Sequence, residues 1–78
     1  MDVYDHNRAV LYKAAKEYGG WEAIAKSLRE KGFSNIKRQT VLTWTVNVKA
    51  GVPNEYLVAI EEITGVPREE LRKDIPWR

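Results

Sequence analysis

Apolar residues recur at helical spacing in five short segments of this chain, and glycine or proline separates each segment from the next. Val10, Leu11, Ala14, Ala15 and Tyr18 fall three and four residues apart and predict a first amphipathic helix. Asp5 is placed to cap it, its carboxylate accepting from free backbone N–H groups, and Gly19-Gly20 ends it. A second helix is expected from Trp21 to about Lys31, with Trp21, Ile24, Ala25 and Leu28 inward and Gly32 closing it. The third segment carries two conflicting periods. Val41, Trp44 and Val48 fit a helical face, yet Trp44, Val46 and Val48 also alternate with Thr43, Thr45 and Asn47 as in a strand. Thr, Val and Trp favour strands as well. Ala50-Gly51 reads as a turn, and Pro53 suits the first turn of a fourth helix striped by Leu57, Ile60 and Ile63 and stopped by Gly65. Pro67 opens a last short helix through Arg72 with Leu71 inward, and Pro76 ends regular structure. The expected fold is all-α, a compact bundle of four to five short helices.

The 78 residues make one domain, 1–78, with a core too thin for high stability. There is no cysteine, so disulfides, thiol nucleophiles and thiolate metal sites are excluded, and a reducing cytosol fits. No apolar run approaches the roughly 18 residues that span a bilayer. The N-terminus lacks the basic and apolar halves of a signal peptide, so a cytoplasmic location and no membrane partner are expected. An enzyme is not expected. The one histidine is His6, there is no glycine-rich phosphate loop, and no Ser, His and acid set has a supporting context. His6 with Asp2 and Asp5 is a thin case for a metal, so no metal, cofactor or small-molecule substrate is expected. Glu61-Glu62 and Glu69-Glu70 read most simply as solubilising faces.

Charge changes the picture through its distribution. The net charge is only +2, but no acidic residue occurs between Glu30 and Glu55, a stretch holding Lys31, Lys37, Arg38 and Lys49. A local positive field suits a polyanion such as nucleic acid. The second and third segments, joined through Gly32, then read as a helix-turn-helix over about 21–47. Ala25 supplies the small residue where the two helices cross. Val41 and Trp44 form the inner face of the second helix of the pair, and Lys37, Arg38, Gln39, Thr40 and Thr43 form its polar outer face.

Four stretches in order resemble a known group: Tyr18-Gly19-Gly20, Ala23-Ile24-Ala25-Lys26-Ser27-Leu28, Arg38-Gln39-Thr40-Val41-Leu42-Thr43-Trp44, and Gly51-Val52-Pro53 continued by Leu57 to Gly65. The ending Leu71-Arg72-Lys73-Asp74-Ile75 is similar too. From Ala9 to Ile75 the chain resembles the Cro-like regulators of lambdoid phages and the related YdaS-type transcription regulators. The resemblance implies a lambda-repressor-like fold and operator binding, usually as a homodimer on a near-palindromic site. It favours helix over strand for Lys37 to about Val46. It also implies that Arg38 and Gln39 read bases, since Arg bonds guanine O6 and N7 together and Gln bonds adenine N6 and N7. Thr40 and Thr43 are further base-contact candidates. Lys37, Asn47 and Lys49 are candidates for phosphates, which position the protein without reading sequence.

One departure stands out. Arg29-Glu30-Lys31-Gly32-Phe33-Ser34-Asn35 makes the connection about six residues longer than the usual turn, so either the first helix of the pair is extended or the connection is a real loop. Phe33 and Ile36 are expected to plug the gap. The plainer reading of Arg38 and Gln39 is an ordinary solvated helix face, and Trp44 is expected in the core. The rival function is a protein-interaction module pairing through a strand at 41–48. A DNA-binding antitoxin or excision factor is a third reading. Candidate dimer contacts are residues 66–78 and the Val46–Val52 stretch, and Trp77 has no assigned role.

Overall fold

The computed structural model describes residues 3–46 and 51–76. They form five α-helices, α1 (Val3–Tyr18), α2 (Trp21–Glu30), α3 (Arg38–Val46), α4 (Leu57–Thr64) and α5 (Arg68–Leu71), with a 3-10 turn at Asn54–Tyr56 leading into α4. No strand occurs among the described residues, as the helical periods predict. Trp77, Asn47, Val48, Lys49 and Ala50 lie outside them.

The core is the sum of the apolar stripes read from the sequence. Leu11 and Ala15 of α1, Ile24, Ala25 and Leu28 of α2, Val41 and Trp44 of α3, and Leu57, Ala59 and Ile60 of α4 form one buried cluster, joined by Ile36, Val52 and Leu71. α2 packs chiefly against α3, and α1 lies across both while also meeting α4 and α5. Tyr18 sits at the edge of the α1 stripe, exposed, with its hydroxyl 2.7 Å from Ser27 Oγ on α2.

One expectation is corrected. Asp5 is not the cap of α1. The helix already runs at Val3, and Asp5 lies in its first turn, where its negative charge meets the positive end of the helix dipole and pairs with Arg8. α2 runs to Glu30 with Lys31 as its C-cap, in agreement with the expected end near Lys31. α3 bears out the helix expected from Lys37 to about Val46, and the rival strand reading of 41–48 fails over its described part, since 41–46 is helical. The buried positions of α3 are Val41, Trp44 and Thr45, spaced as on a helix, whereas Val46, which a strand would bury with Trp44, is 59% exposed. The threonines suit this helix because Thr43 Oγ1 donates to the Gln39 carbonyl at 2.8 Å and Thr45 Oγ1 to the Leu42 carbonyl at 2.7 Å. Burial of one face outweighs the strand propensity of the residues.

A polar lock that the apolar pattern did not announce joins the two ends of the fold. Asn7 lies on the buried side of α1, one turn before Leu11, and is fully buried. Its Nδ2 donates to Asp74 Oδ1 at 2.7 Å, and its Oδ1 accepts from the Lys73 backbone N–H at 2.9 Å. Arg72 holds Asp74 with two further bonds of 2.8 Å and donates to the Val52 carbonyl and to Asn54 Oδ1, both at 2.9 Å. The segment after α5 is thereby tied to α1 and to the segment leading into α4. Gly51 fits the same junction. A β-carbon there would stand 3.3 Å from Asn7 Cβ, and its φ of +91° is one that glycine adopts readily.

The hydrogen bonds from Arg72 hold the Asp74 carboxyl below its ordinary value of 3.8, against the opposing effect of burial, and Asn7 adds to the lowering. A carboxylate whose folded value is depressed adds stability above its unfolded value and loses it as the pH falls through the folded one. Thermal unfolding of the wild type should therefore lose stability steeply below about pH 4. Asp74→Asn should be less stable at pH 7, by about 1–3 kcal/mol, and should show a flatter acid limb. Parallel acid limbs for the two proteins would remove Asp74 from this role.

Candidate nucleic-acid interface

α3 begins immediately after a connection whose geometry decides where its polar ridge points. α2 closes with the Gly32 N–H bonded to the Arg29 carbonyl at 3.0 Å and the Phe33 N–H to the Leu28 carbonyl at 3.1 Å, the paired bonds of a Schellman ending. Gly32, at φ +108°, supplies the positive φ the ending requires. The Ile36 N–H then bonds the Phe33 carbonyl at 3.2 Å. Of the two alternatives the sequence left open, the connection is a real loop, and its own hydrogen bonds order it. Phe33 and Ile36 fill the gap as expected. Ile36 is buried, and Phe33 packs edge-on against Tyr56 with ring centroids 5.1 Å apart.

Tyr56 also fixes the underside of α3. Its ring stacks on Trp44 at 4.9 Å, the two planes inclined by 30°. Trp44 is only 3% exposed, which places it in the core and away from any base. Phe33, Tyr56 and Trp44 form one aromatic row running from the connection, through the approach to α4, to the middle of α3.

On the outer side, Lys37, Arg38 and Gln39 are exposed, and Thr40 and Thr43 are half-buried. All five fall on the first turns of one short helix or just before it, so the structure brings this part of the predicted set together. Asn47 and Lys49, the other two phosphate candidates, lie outside the described residues. Among the described residues Lys37 and Arg38 have no ion-pair partner, whereas Lys31 of the same cationic stretch is engaged by Glu62 at 2.8 Å. The threonine hydroxyls differ in what they have left to offer. Thr40 Oγ1 accepts from the Lys37 N–H at 3.4 Å, closing the first turn and leaving its own proton to donate. Thr43 has committed its proton to Gln39, which leaves its lone pairs and its methyl group.

The electrostatics of the helix start are unusual within this molecule. α1, α2 and α5 each carry an acidic residue in the first turn, the arrangement the helix dipole favours, and α4 opens with uncharged residues. α3 has none there and instead opens with Lys37-Arg38. Two cations meet the positive end of the dipole with no anion among the described residues to relieve them.

A family model describing the bacterial toxin YdaS matches residues 11–78 of this chain. The chain belongs to the YdaS family. The match bears out the YdaS-type resemblance and covers α2, α3, α4 and α5 entirely, together with the second half of α1. The family is of the Cro type, prophage-associated and helix-turn-helix-like. Its description is by toxicity and names no DNA. No curated protein and no solved structure matched the chain. No helix among the described residues is long and apolar enough to cross a membrane.

Sequence reasoning missed Tyr56, Arg29 and Thr45 as parts of this site. Arg29 bonds Glu22 at 2.6 Å and the Ile36 carbonyl at 2.9 Å. The seven-residue spacing of Glu22 and Arg29, two turns along one helix face, was the available signal.

Because the connection is packed rather than slack, Ile36→Ala should destabilise the protein by about 2–4 kcal/mol. In urea unfolding it should lower the midpoint without changing the slope. A substitution silent in that measurement would mean that the connection does not hold α3.

Proposed function

We propose that this YdaS-family protein is a sequence-specific double-stranded DNA-binding regulator that places α3 in the major groove. The observation that carries the reading is the start of α3. Lys37 and Arg38 stand exposed, without ion-pair partners among the described residues, at the helix end where positive charge is least favourable. Departures from a local rule concentrate at functional positions. A phosphate at this point would answer both cations and the helix dipole together.

In this arrangement Arg38 and Gln39 read base edges from the first turn of α3. Thr43, one turn on, offers its methyl group to a thymine methyl, and Thr40 offers its hydroxyl proton to an acceptor. Lys37 binds phosphate, with Asn47 and Lys49 as candidates beyond α3. So few cations bind weakly as a monomer, so a homodimer on a near-palindrome fits best. The buried face of 71–74 is spent inside the monomer through Leu71, Arg72 and Asp74. A dimer contact from this segment would therefore use its outer side. The toxin description of the family is compatible with the same surface, because a chain that occupies host promoters would arrest growth through transcription.

Selection of bound sequences from random duplexes tests the reading. A short inverted repeat should be enriched, with affinity falling steeply as salt rises. Absence of both enrichment and salt-dependent retention would overturn it. On the selected duplex, Arg38→Ala should cost about 1–3 kcal/mol and relax preference at one base pair, while Lys37→Ala should weaken all sequences alike and lower the salt slope by about 1. If overproduction of the wild type slows bacterial growth, the Arg38→Ala, Gln39→Ala double variant should abolish that effect at equal protein level. Growth arrest that survives the double variant would assign toxicity to a different surface.

A further inference from the structure

Arg29 lies in the last turn of α2, and its guanidinium is divided between two acceptors. Nη1 donates to the Ile36 carbonyl at 2.9 Å, and Nη2 donates to Glu22 Oε2 at 2.6 Å. Ile36 stands two residues ahead of Arg38, at the far end of the 31–37 connection. One side chain therefore spans the connection from the helix that precedes it to the last residues before α3. The planar fork of arginine suits this task, since it serves two acceptors in fixed directions while a lysine ammonium has no such fork. The Ile36 side chain is buried, so a free carbonyl at this point would cost more than one in open water.

A cation beside a recognition helix invites assignment as a phosphate contact. The geometry points elsewhere. We infer that Arg29, held by Glu22, is a positioning residue for α3, and that it turns the long connection into a strut fixing the direction of the Lys37–Thr43 ridge. The inference rests on the DNA-binding reading above. It explains how this chain keeps a defined docking surface with about six more residues in the turn than a compact helix-turn-helix uses.

The two roles give opposite signs for Glu22. If Arg29 bound phosphate, Glu22 would compete with DNA, and Glu22→Gln would tighten binding. If Arg29 is a strut, Glu22→Gln loosens its guanidinium and weakens binding. The experiment uses the full chain as wild type, Arg29→Gln, Arg29→Lys and Glu22→Gln. Each is titrated with the duplex selected by the wild type over a range of salt, and amide exchange is followed on the free proteins. Arg29→Gln should weaken binding about tenfold with the slope of log K against log salt unchanged. Arg29→Lys should recover only part of the loss, Glu22→Gln should weaken binding severalfold, and the Thr40 and Val41 amides should exchange faster in Arg29→Gln than the amides of α1 and α4 do. A slope reduced by about 0.9 in Arg29→Gln, or tighter binding by Glu22→Gln, would make Arg29 a phosphate contact and overturn the inference. Should Arg29→Gln unfold, the exposed Glu22→Gln change still decides through its sign. A wild type that binds no duplex would overturn the DNA reading itself. The exchange data would then judge the strut alone, and unchanged Thr40 and Val41 amides would overturn that as well.

Discussion

The burial of one face of α3 is the constraint on which the rest of the structure depends. The helix has nine residues, opens with two cations at the wrong end of its dipole, and is rich in residues that favour extended chain. Isolated helices of this length are marginal in water. What holds it is tertiary: Val41 and Trp44 in the core, Tyr56 stacked on Trp44, and threonine hydroxyls satisfied on the helix's own carbonyls. The exposed face can then carry side chains chosen for an external partner, because the buried face alone sets the conformation.

The same division explains why the connection before α3 is ordered. A short helix held by one face can rock about its axis unless its start is fixed. Here the Schellman ending of α2, the buried Ile36 and the Phe33–Tyr56 contact fix that start from below, and Arg29 fixes it from the side. Length in a connection does not by itself mean looseness. The added residues bring their own apolar side chains and their own hydrogen bonds.

The apolar stripes of all five helices were legible from spacing and from Gly and Pro positions, and so was the polar ridge Lys37-Arg38-Gln39. The strand-like alternation that begins at Thr43 was a real local preference that a helical burial pattern outweighed over 43–46, and the sequence resemblance already favoured helix there. The start of α1 was misplaced because Asp5 suits a cap and a first turn about equally well. Asn7 and Asp74 were not read as a pair, because their contact spans 67 residues and local periodicity carries no information about it. A lone asparagine one turn before Leu11 on an apolar stripe was the only trace, and the same residue types are common on solvated faces. Arg29 read only as the first residue of the long connection, and three-dimensional geometry shows that its guanidinium is already engaged by Glu22 and the Ile36 carbonyl.

The Asn7–Asp74 lock bears on how the molecule comes into being. Leu71 completes the core, and residues 72–74 reach back to the first helix and to the segment that leads into the fourth. A chain still being synthesised has the residues of α3 well before it has those that seal the fold. The buried Asn7 therefore has its side-chain partners, and the Lys37–Thr43 ridge its complete supporting core, only after position 74 has been made.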